Sequence, residues 1–308
     1  MRTERRHGTV LKARSGFADV STPEGTVRCR LRGRLKRERK RRSDIAVIGD
    51  EVEITVFEDG EGALEQVLPR RNRLSRRHPC PGGQWREDVL VANLDQVVCV
   101  FCFGTPAFNP RLLDRLLVIA EHNAIAALVV ANKADLARGE HDHAPFHAYE
   151  RIGYPVVYAS ASDGTGIRAL RDALRDRVSA FAGPSGTGKS HLINAIEPGL
   201  ELQVGEVSEA VHKGRHTTRV ASLHPLSGGG WVADTPGIRE LGTWQIPKED
   251  LATCFVEFGP YLGRCAFNDC VHHKEPDCAV RGAVEAHEIS DSRYDSYLRL
   301  LKGEEDRR

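Results

Sequence analysis

Apolar positions along the chain fall into three regimes. Through the first 73 residues they come as short runs: Gly8–Leu11, Gly16–Val20, Thr26–Leu31 and Asp50–Val56, separated by turn signals at Pro23-Glu-Gly25 and Glu58-Asp-Gly60. Short, evenly spaced strands predict a small barrel, and an OB-fold is the expected form. From Gln96 the runs become continuous. Gln96–Phe103 and Ile125–Ala131 read as buried strands of a parallel sheet, and Asn109–Ala120 between them has helical period with Pro110 in its first turn. Val156–Ala161, Val178–Ala182 and a run starting at Gly230 repeat the buried-strand pattern, while 166–177 and His191–Ile196 read as helices. In the last stretch Ala283–Ile289 and Ser292–Leu301 are expected to be helical. The pattern predicts an α/β protein divided at 1–73, 74–245 and 246–308.

The segment between strand Val178–Ala182 and helix His191–Ile196 carries the clearest chemistry. Gly183-Pro184-Ser185-Gly186-Thr187-Gly188-Lys189-Ser190 has the spacing G-x-x-x-x-G-K-[ST] of a phosphate-binding P-loop. Crowded phosphate charge needs several backbone N–H groups aimed at it, and the three glycines permit that curvature. Lys189 is placed for the β/γ-phosphate oxygens and the Ser190 hydroxyl for Mg²⁺. His191 opens a helix whose N-terminus faces the phosphates.

Asn132-Lys133-Ala134-Asp135 follows a buried strand and is the guanine-reading N-K-x-D pattern. The Asp135 carboxylate can accept from both the N1–H and the exocyclic amine of guanine. Adenine offers no such pair and would leave the carboxylate unmatched. Asn132 and the Lys133 stem support the loop and the base plane, and Ser160-Ala161 supplies a backbone contact to the guanine oxygen. Gly230-Trp-Val-Ala-Asp234-Thr-Pro-Gly237 is a strand ending in D-x-P-G. There Asp234 holds Mg²⁺ through water and the Gly237 N–H senses the γ-phosphate. Gly214-Arg-His216-Thr217-Thr218 is a polar loop with a threonine suited to the metal. Ile238 stands where many GTPases place a water-orienting Gln, leaving His216 as the nearest candidate for that task. Guanine recognition precedes phosphate binding in this chain, the order of a circular permutation, which is cheap where the original termini lie close together.

The net charge of +1 announces no polyanion partner, but its distribution does. Residues 28–42 hold ten Lys/Arg against one Glu; Arg28, Arg30, Arg32 and Arg34 alternate with Cys29, Leu31, Gly33 and Leu35, and a wholly polar run follows. Alternation lines the arginines along one strand face. So dense a cationic patch predicts contact with the phosphate backbone of folded RNA, although few aromatics interleave for base stacking. No apolar run approaches the roughly 18 residues of a membrane helix, the N-terminus lacks the apolar core of a signal peptide, and a cytoplasmic protein is expected.

Of the eight cysteines, Cys99 and Cys102 lie in a strand, where positions three apart face opposite ways, so they read as core thiols rather than a metal pair. Cys265, Cys270, His272 and Cys278 fall within fourteen residues and form a complete Cys₃His set for structural zinc. His273 in place of His272, or a contribution from Cys254, remain alternatives. A segment this small needs a metal to fold.

Taken together, the order N-K-x-D, Ser-Ala, P-loop, G-R-H-T-T and D-T-P-G, set between a basic barrel and C-x₄-C-x-H-x₅-C, closely resembles the bacterial ribosome small-subunit-dependent GTPases. The resemblance spans the whole chain. It implies an OB-fold, a circularly permuted GTPase domain and a zinc domain, acting monomerically and late in small-subunit maturation through contact with rRNA, with turnover stimulated by the subunit. It also implies zinc on Cys265, Cys270, His272 and Cys278, and switch I at Gly214–Thr218. Arg219 departs from the family's third threonine, which leaves Thr217 and Thr218 as alternatives for the metal, with Thr218 favoured. Two other readings share parts of the pattern: an RNA-binding protein that only senses GTP, and an ATP-dependent RNA-remodelling enzyme, which would have no use for Asp135.

Overall fold

The computed structural model describes residues 4–14, 16–32, 46–79, 85–200, 221–235 and 246–304. Strands β1 (Glu4–Arg14), β2 (Phe17–Thr22), β3 (Gly25–Leu31), β4 (Glu51–Val56) and β5 (Gly62–Val67) form a closed barrel, in the order β1-β2-β3-β5-β4 with β4 returning to β1. Closure is possible because β1 is long and bends. Thr9 to Glu4 pair with Glu51 to Val56, while a register shift between Val10 and Lys12 lets the rest of β1 follow β2. Gly8 sits at the closest approach, where a Cβ would lie 2.3 Å from the Ser21 carbonyl oxygen. Val10, Val20, Cys29, Val52, Ile54 and Leu64 fill the interior. The alternation expected of 28–32 is present: Arg28, Arg30 and Arg32 are exposed while Val27 and Cys29 are buried. Arg34 and the run 36–42 lie outside the described residues.

Two strands absent from the hydrophobic pattern follow. β6 (Arg73–Pro79) and β7 (Trp85–Ala92) pair as an antiparallel hairpin. Their exposed and half-buried positions carry charge, with Arg73 on Glu87 and Arg76 on Asp88, so the run does not read as apolar. The segment leading into the hairpin is latched to the barrel through fully buried Asp50. That carboxylate accepts from Arg70 at 2.7 and 2.9 Å and from the Val47 N–H at 2.8 Å.

The central sheet contains β8 (Gln96–Cys102), β9 (Ala126–Asn132), β10 (Val156–Tyr158), β11 (Val178–Ala182), β12 (Ser222–Pro225) and β13 (Trp231–Asp234) in the order β10-β9-β8-β11-β13-β12. All neighbours are parallel except β12–β13. Helices α1 (Pro110–His122), α2 (Glu140–Arg151), α3 (Ile167–Leu174) and α4 (Lys189–Ile196) cover its faces. β8 is buried along its whole length, and Cys99 joins the core beneath α1. Leu113, Leu117 and Ala120 of α1 pack on one face; Leu170, Leu174, Leu192 and Ile196 pack on the other. The barrel touches this sheet where Lys12 of β1 pairs with Ser222 of β12.

The C-terminal lobe has short 3-10 turns at Leu251–Cys254 and Val256–Phe258, then α5 (Ala279–Glu285) and α6 (Asp291–Leu301). The helix expected at 283–289 starts four residues earlier. Cys278 occupies its cap, and His287 at φ 57° ends it while the Ile289 N–H returns to the Ala283 carbonyl. The lobe's core of Phe255, Phe258, Tyr297 and Leu301 includes Val118 from α1. At that seam Arg293 is clamped between Asp114 of α1 (2.7 Å) and Glu257 (2.7 and 3.0 Å), with all three side chains nearly inaccessible. Among the described residues, no helix is long and apolar enough to cross a membrane.

Candidate functional site

Because β8, β9, β10, β11 and β13 are parallel, their C-terminal ends meet at one sheet edge: Cys102, Asn132, Tyr158, Ala182 and Asp234. The chain winds outward from β8 through β9 to β10, then crosses back to β11 on the other side of β8. The loops after β8 and β11 therefore part at a topological switch point, the place where open α/β sheets bind ligands.

The loop after β11 is Gly183–Gly188. Gly183 (φ 134°) passes so close to β8 that a Cβ would stand 2.2 Å from the Val100 carbonyl oxygen. A Cβ on Gly188 (φ 88°) would stand 2.5 Å from Asn132 Nδ2. Both positions combine left-handed backbone with close approach, which only glycine tolerates. Ser185 and Gly186 are exposed at the tip, Thr187 is buried with its hydroxyl donating to the Pro184 carbonyl at 3.0 Å, and Ser190 and His191 lie in the first turn of α4. Lys189 Nζ donates to the carbonyls of Gly183 (2.9 Å) and Pro184 (2.6 Å), so its ammonium sits in the mouth of the loop.

The loop after β9 is tied to the same place. Asn132, 2% exposed, donates from Nδ2 to the Thr187 carbonyl at 2.6 Å, and its Oδ1 has no partner among the described residues. Lys133, left-handed at φ 57°, donates to the Gly186 carbonyl at 2.9 Å and to the Thr105 carbonyl. That second contact draws in the loop after β8, with Pro106 beside Gly186. Sequence patterns gave no hint of Thr105, because a backbone carbonyl leaves no mark on residue type. Asp135 is exposed, and its Oδ1 accepts the Ser160 hydroxyl at 2.6 Å. Ser160 is fully buried, its Oγ also accepting from the Ser162 N–H at 3.2 Å, and Ala161 follows at the rim.

Cys102 is buried at this edge, with its thiol on the Pro106 carbonyl at 3.5 Å. Burial pushes its pKa up, and the charges of Lys133 and Lys189 pull the other way. Cys99, enclosed in the core, is pushed up to about 12 by burial alone. The two thiols thus sit apart, as their spacing in a strand requires.

Asp234 is exposed at the end of β13, and the next residue, Thr235, has a buried hydroxyl without a partner among the described residues. His224 of β12 meets the Ser222 hydroxyl at 2.9 Å; burial lowers its pKa, Lys12 adds to this and Asp234 opposes it. Gly214, His216, Thr217, Thr218, Arg219, Gly237 and Ile238 lie outside the described residues.

In the C-terminal lobe the ligand atoms of Cys265, Cys270, His272 and Cys278 lie within 4.8 Å of one another. His272 Nδ1 stands 3.5, 3.5 and 3.4 Å from the sulfurs of Cys265, Cys270 and Cys278, and Cys265 and Cys278 are 3.9 Å apart. A tetrahedral zinc with ordinary bond lengths sets sulfur–sulfur edges of about 3.8 Å and sulfur–nitrogen edges of about 3.5 Å. The donor set therefore fits zinc. His273 and Cys254 are outside it; Cys254 Sγ points its hydrogen bond at the Asp250 carbonyl. Tyr294 and Tyr297 hydroxyls hold the carbonyls of His272 and Val271, both at 2.7 Å. Burial opposes ionisation of Glu275, yet backbone N–H donors, including those of His273 and Lys274, hold its carboxyl down to about 2.

On the barrel, Arg28 and Arg30 lie over the Phe17 ring at 4.9 and 5.8 Å. Arg30 also reaches Glu61 at 3.0 Å and Arg32 reaches Glu65 at 2.8 Å, so part of the basic face is already compensated.

A phosphate loop and an N-K-x-D loop joined at the switch point of a permuted sheet define a circularly permuted P-loop GTPase. The family model described as RsgA GTPase matches residues 67–244, and that described as RsgA N-terminal domain matches 7–64. The chain belongs to the RsgA GTPase family and is a GTP hydrolase. Its relatives include the small ribosomal subunit biogenesis GTPase RsgA of Gemmatimonas aurantiaca, 48% identical over 95% of both chains. The protein of the same name from Caldanaerobacter subterraneus is 41% identical over 97% of this chain and 96% of that one. Among solved structures, YjeQ from Thermotoga maritima superposes with TM-score 0.80 at 37% identity, covering 99% of this chain and all of that one. YloQ, a circularly permuted GTPase, gives 0.76 at 32% identity, covering 99% and 96%.

Proposed function

We propose that this GTPase works on the small ribosomal subunit late in its maturation, binding the subunit through rRNA and hydrolysing GTP faster when bound. One observation carries the reading: the guanine-reading and phosphate-binding loops meet at one sheet edge, between a barrel with an arginine face and a Cys₃His lobe. The names of the relatives point the same way.

In this reading Asp135 accepts from the guanine edge with Ser160 fixing its carboxylate, while Asn132, Lys133 and Ala161 complete the base pocket. Gly183, Ser185, Gly186, Thr187 and Gly188 surround the phosphates, and His191 continues the N-terminal turn of α4. Lys189 exchanges its loop carbonyls for β/γ-phosphate oxygens. Ser190, Thr218 and Asp234 would hold Mg²⁺, which when bound would offset charge on the transferring phosphoryl group. Gly237 senses the γ-phosphate, and His216 orients water because Ile238 cannot. Cys265, Cys270, His272 and Cys278 would hold one structural zinc. The working division is 1–73 for RNA binding, 74–245 for GTP hydrolysis and 246–308 for the zinc domain, in a cytoplasmic monomer.

The test is GTP turnover with and without purified small subunits. Slow intrinsic hydrolysis that rises strongly on the subunit is expected, and Lys189→Ala or Ser190→Ala should abolish both rates. A fast rate indifferent to subunits would refute the proposal, and ATP turnover would refute the guanine assignment.

A further inference from the structure

Where α1 meets α6, a cleft of about 20 Å³ is bordered by Arg111, Arg115, Ser296, Arg299 and Glu304. The carboxylates of this seam serve two of its three arginines. Asp295 pairs with Arg111 at 3.2 Å and with Arg299 at 3.2 Å, and Glu304 stands 3.5 Å from Arg299. Arg115 has no ion-pair partner among the described residues, and its buried Nε has no hydrogen-bond acceptor. Ser296 is 3% exposed, lines the same cleft, and its buried hydroxyl is also without a partner.

Two buried donors in one small cleft, Arg115 Nε and the Ser296 hydroxyl, are costly unless an acceptor enters. The volume suits a single oxygen atom at the base, since one water-sized group needs about 10–15 Å³. A neutral water would satisfy the hydrogen bonds but bring no counter-charge to the half-buried Arg115. A phosphate oxygen would do both, with the rest of its phosphodiester outside near Arg111 and Arg299. We propose that this seam is an RNA phosphate-binding subsite, formed jointly by the GTPase part and the zinc lobe. The site exists only while α6 is docked on α1, so each RNA contact there also reads whether the two parts are joined. This inference rests on the reading of the chain as a small-subunit-binding GTPase.

The test uses the full-length, zinc-loaded protein and purified small subunits, with affinity measured at several salt concentrations. Arg115→Gln removes the charge and Ser296→Ala removes only the hydroxyl. Both should keep their zinc and the wild-type GTP turnover measured without subunits. Arg115→Gln is expected to bind subunits about tenfold more weakly at fixed salt. Its log–log salt slope should be shallower by about one phosphate contact. Ser296→Ala should weaken binding less and leave the slope unchanged. Wild-type affinity and slope in Arg115→Gln would overturn the subsite and mean that an ordered water is the occupant. Weaker binding with an unchanged slope would indicate an acidic protein contact, and would also overturn it. Wild-type protein that fails to bind subunits at all would refute the parent reading, a result distinct from any loss confined to the variants.

Discussion

Asn132 donates to the Thr187 carbonyl at 2.6 Å across 55 residues of sequence. The bond joins the N-K-x-D loop to the phosphate-loop motif, and it makes the order of the two in the chain immaterial. What matters is that β9 and β11 flank β8 and run parallel. Asn132→Ala removes a buried partner from Thr187 and opens space beside Gly188. GTP affinity is expected to fall by about tenfold or more, by titration with a fluorescent GTP analogue. An unchanged affinity would mean that the two loops are positioned independently.

Arg293 carries the seam between α1 and the C-terminal lobe. Replacing it with Met leaves Asp114 and Glu257 buried without their cation, a change that typically costs about 3–5 kcal/mol. Chemical denaturation of the full chain should show the loss. The triple replacement Asp114→Asn, Glu257→Gln, Arg293→Met should recover much of it, because the uncompensated charge, more than the missing contact, is the penalty.

The seam also marks where the sequence stopped being legible. P-loop, N-K-x-D and Cys₃His were readable because each is local, with spacing dictated by one ligand. Asp114, Glu257 and Arg293 lie on three separate segments, and no local spacing links them. Only the docking of α6 on α1 makes them interior. The hairpin of β6 and β7 was missed because its charged cross-strand pairs hide the period-two pattern. The Asp135–Ser160 contact could have been suspected from Ser-Ala following a buried strand, but its hydroxyl-to-carboxylate form could not.

The lobe should contain one zinc per chain by elemental analysis. Cys270→Ala should lose it and unfold the lobe, while nucleotide binding persists because the N-K-x-D and phosphate loops lie at the C-terminal strand ends and the lobe packs on α1. Unfolding should also expose Val118 and Asp114, so a lower midpoint for the remaining protein is expected. Protein purified without chelator and found free of metal would refute the zinc assignment.

His224 gives a pH dependence. Its burial lowers the pKa below the ordinary 6.5, so the folded state binds this proton less readily than the unfolded state. Its contribution to stability is complete above about pH 6.5 and is lost as pH falls below it. Thermal midpoints at pH 7.5 and 5.5 should therefore differ more in the wild type than in His224→Gln. An equal difference in the two proteins would show that His224 does not titrate as described.

The most direct test of the whole account is the base preference of Asp135→Asn. In the proposed function the permuted chain reads guanine before it reaches the phosphate loop, through one exposed carboxylate held by Ser160 at 2.6 Å. An amide at 135 would offer a donor where guanine needs an acceptor, and would suit the 2-oxo group of xanthine. Competition binding with GTP and xanthosine triphosphate should show the variant losing GTP affinity and preferring the xanthine nucleotide. A variant that still prefers GTP would contradict the account.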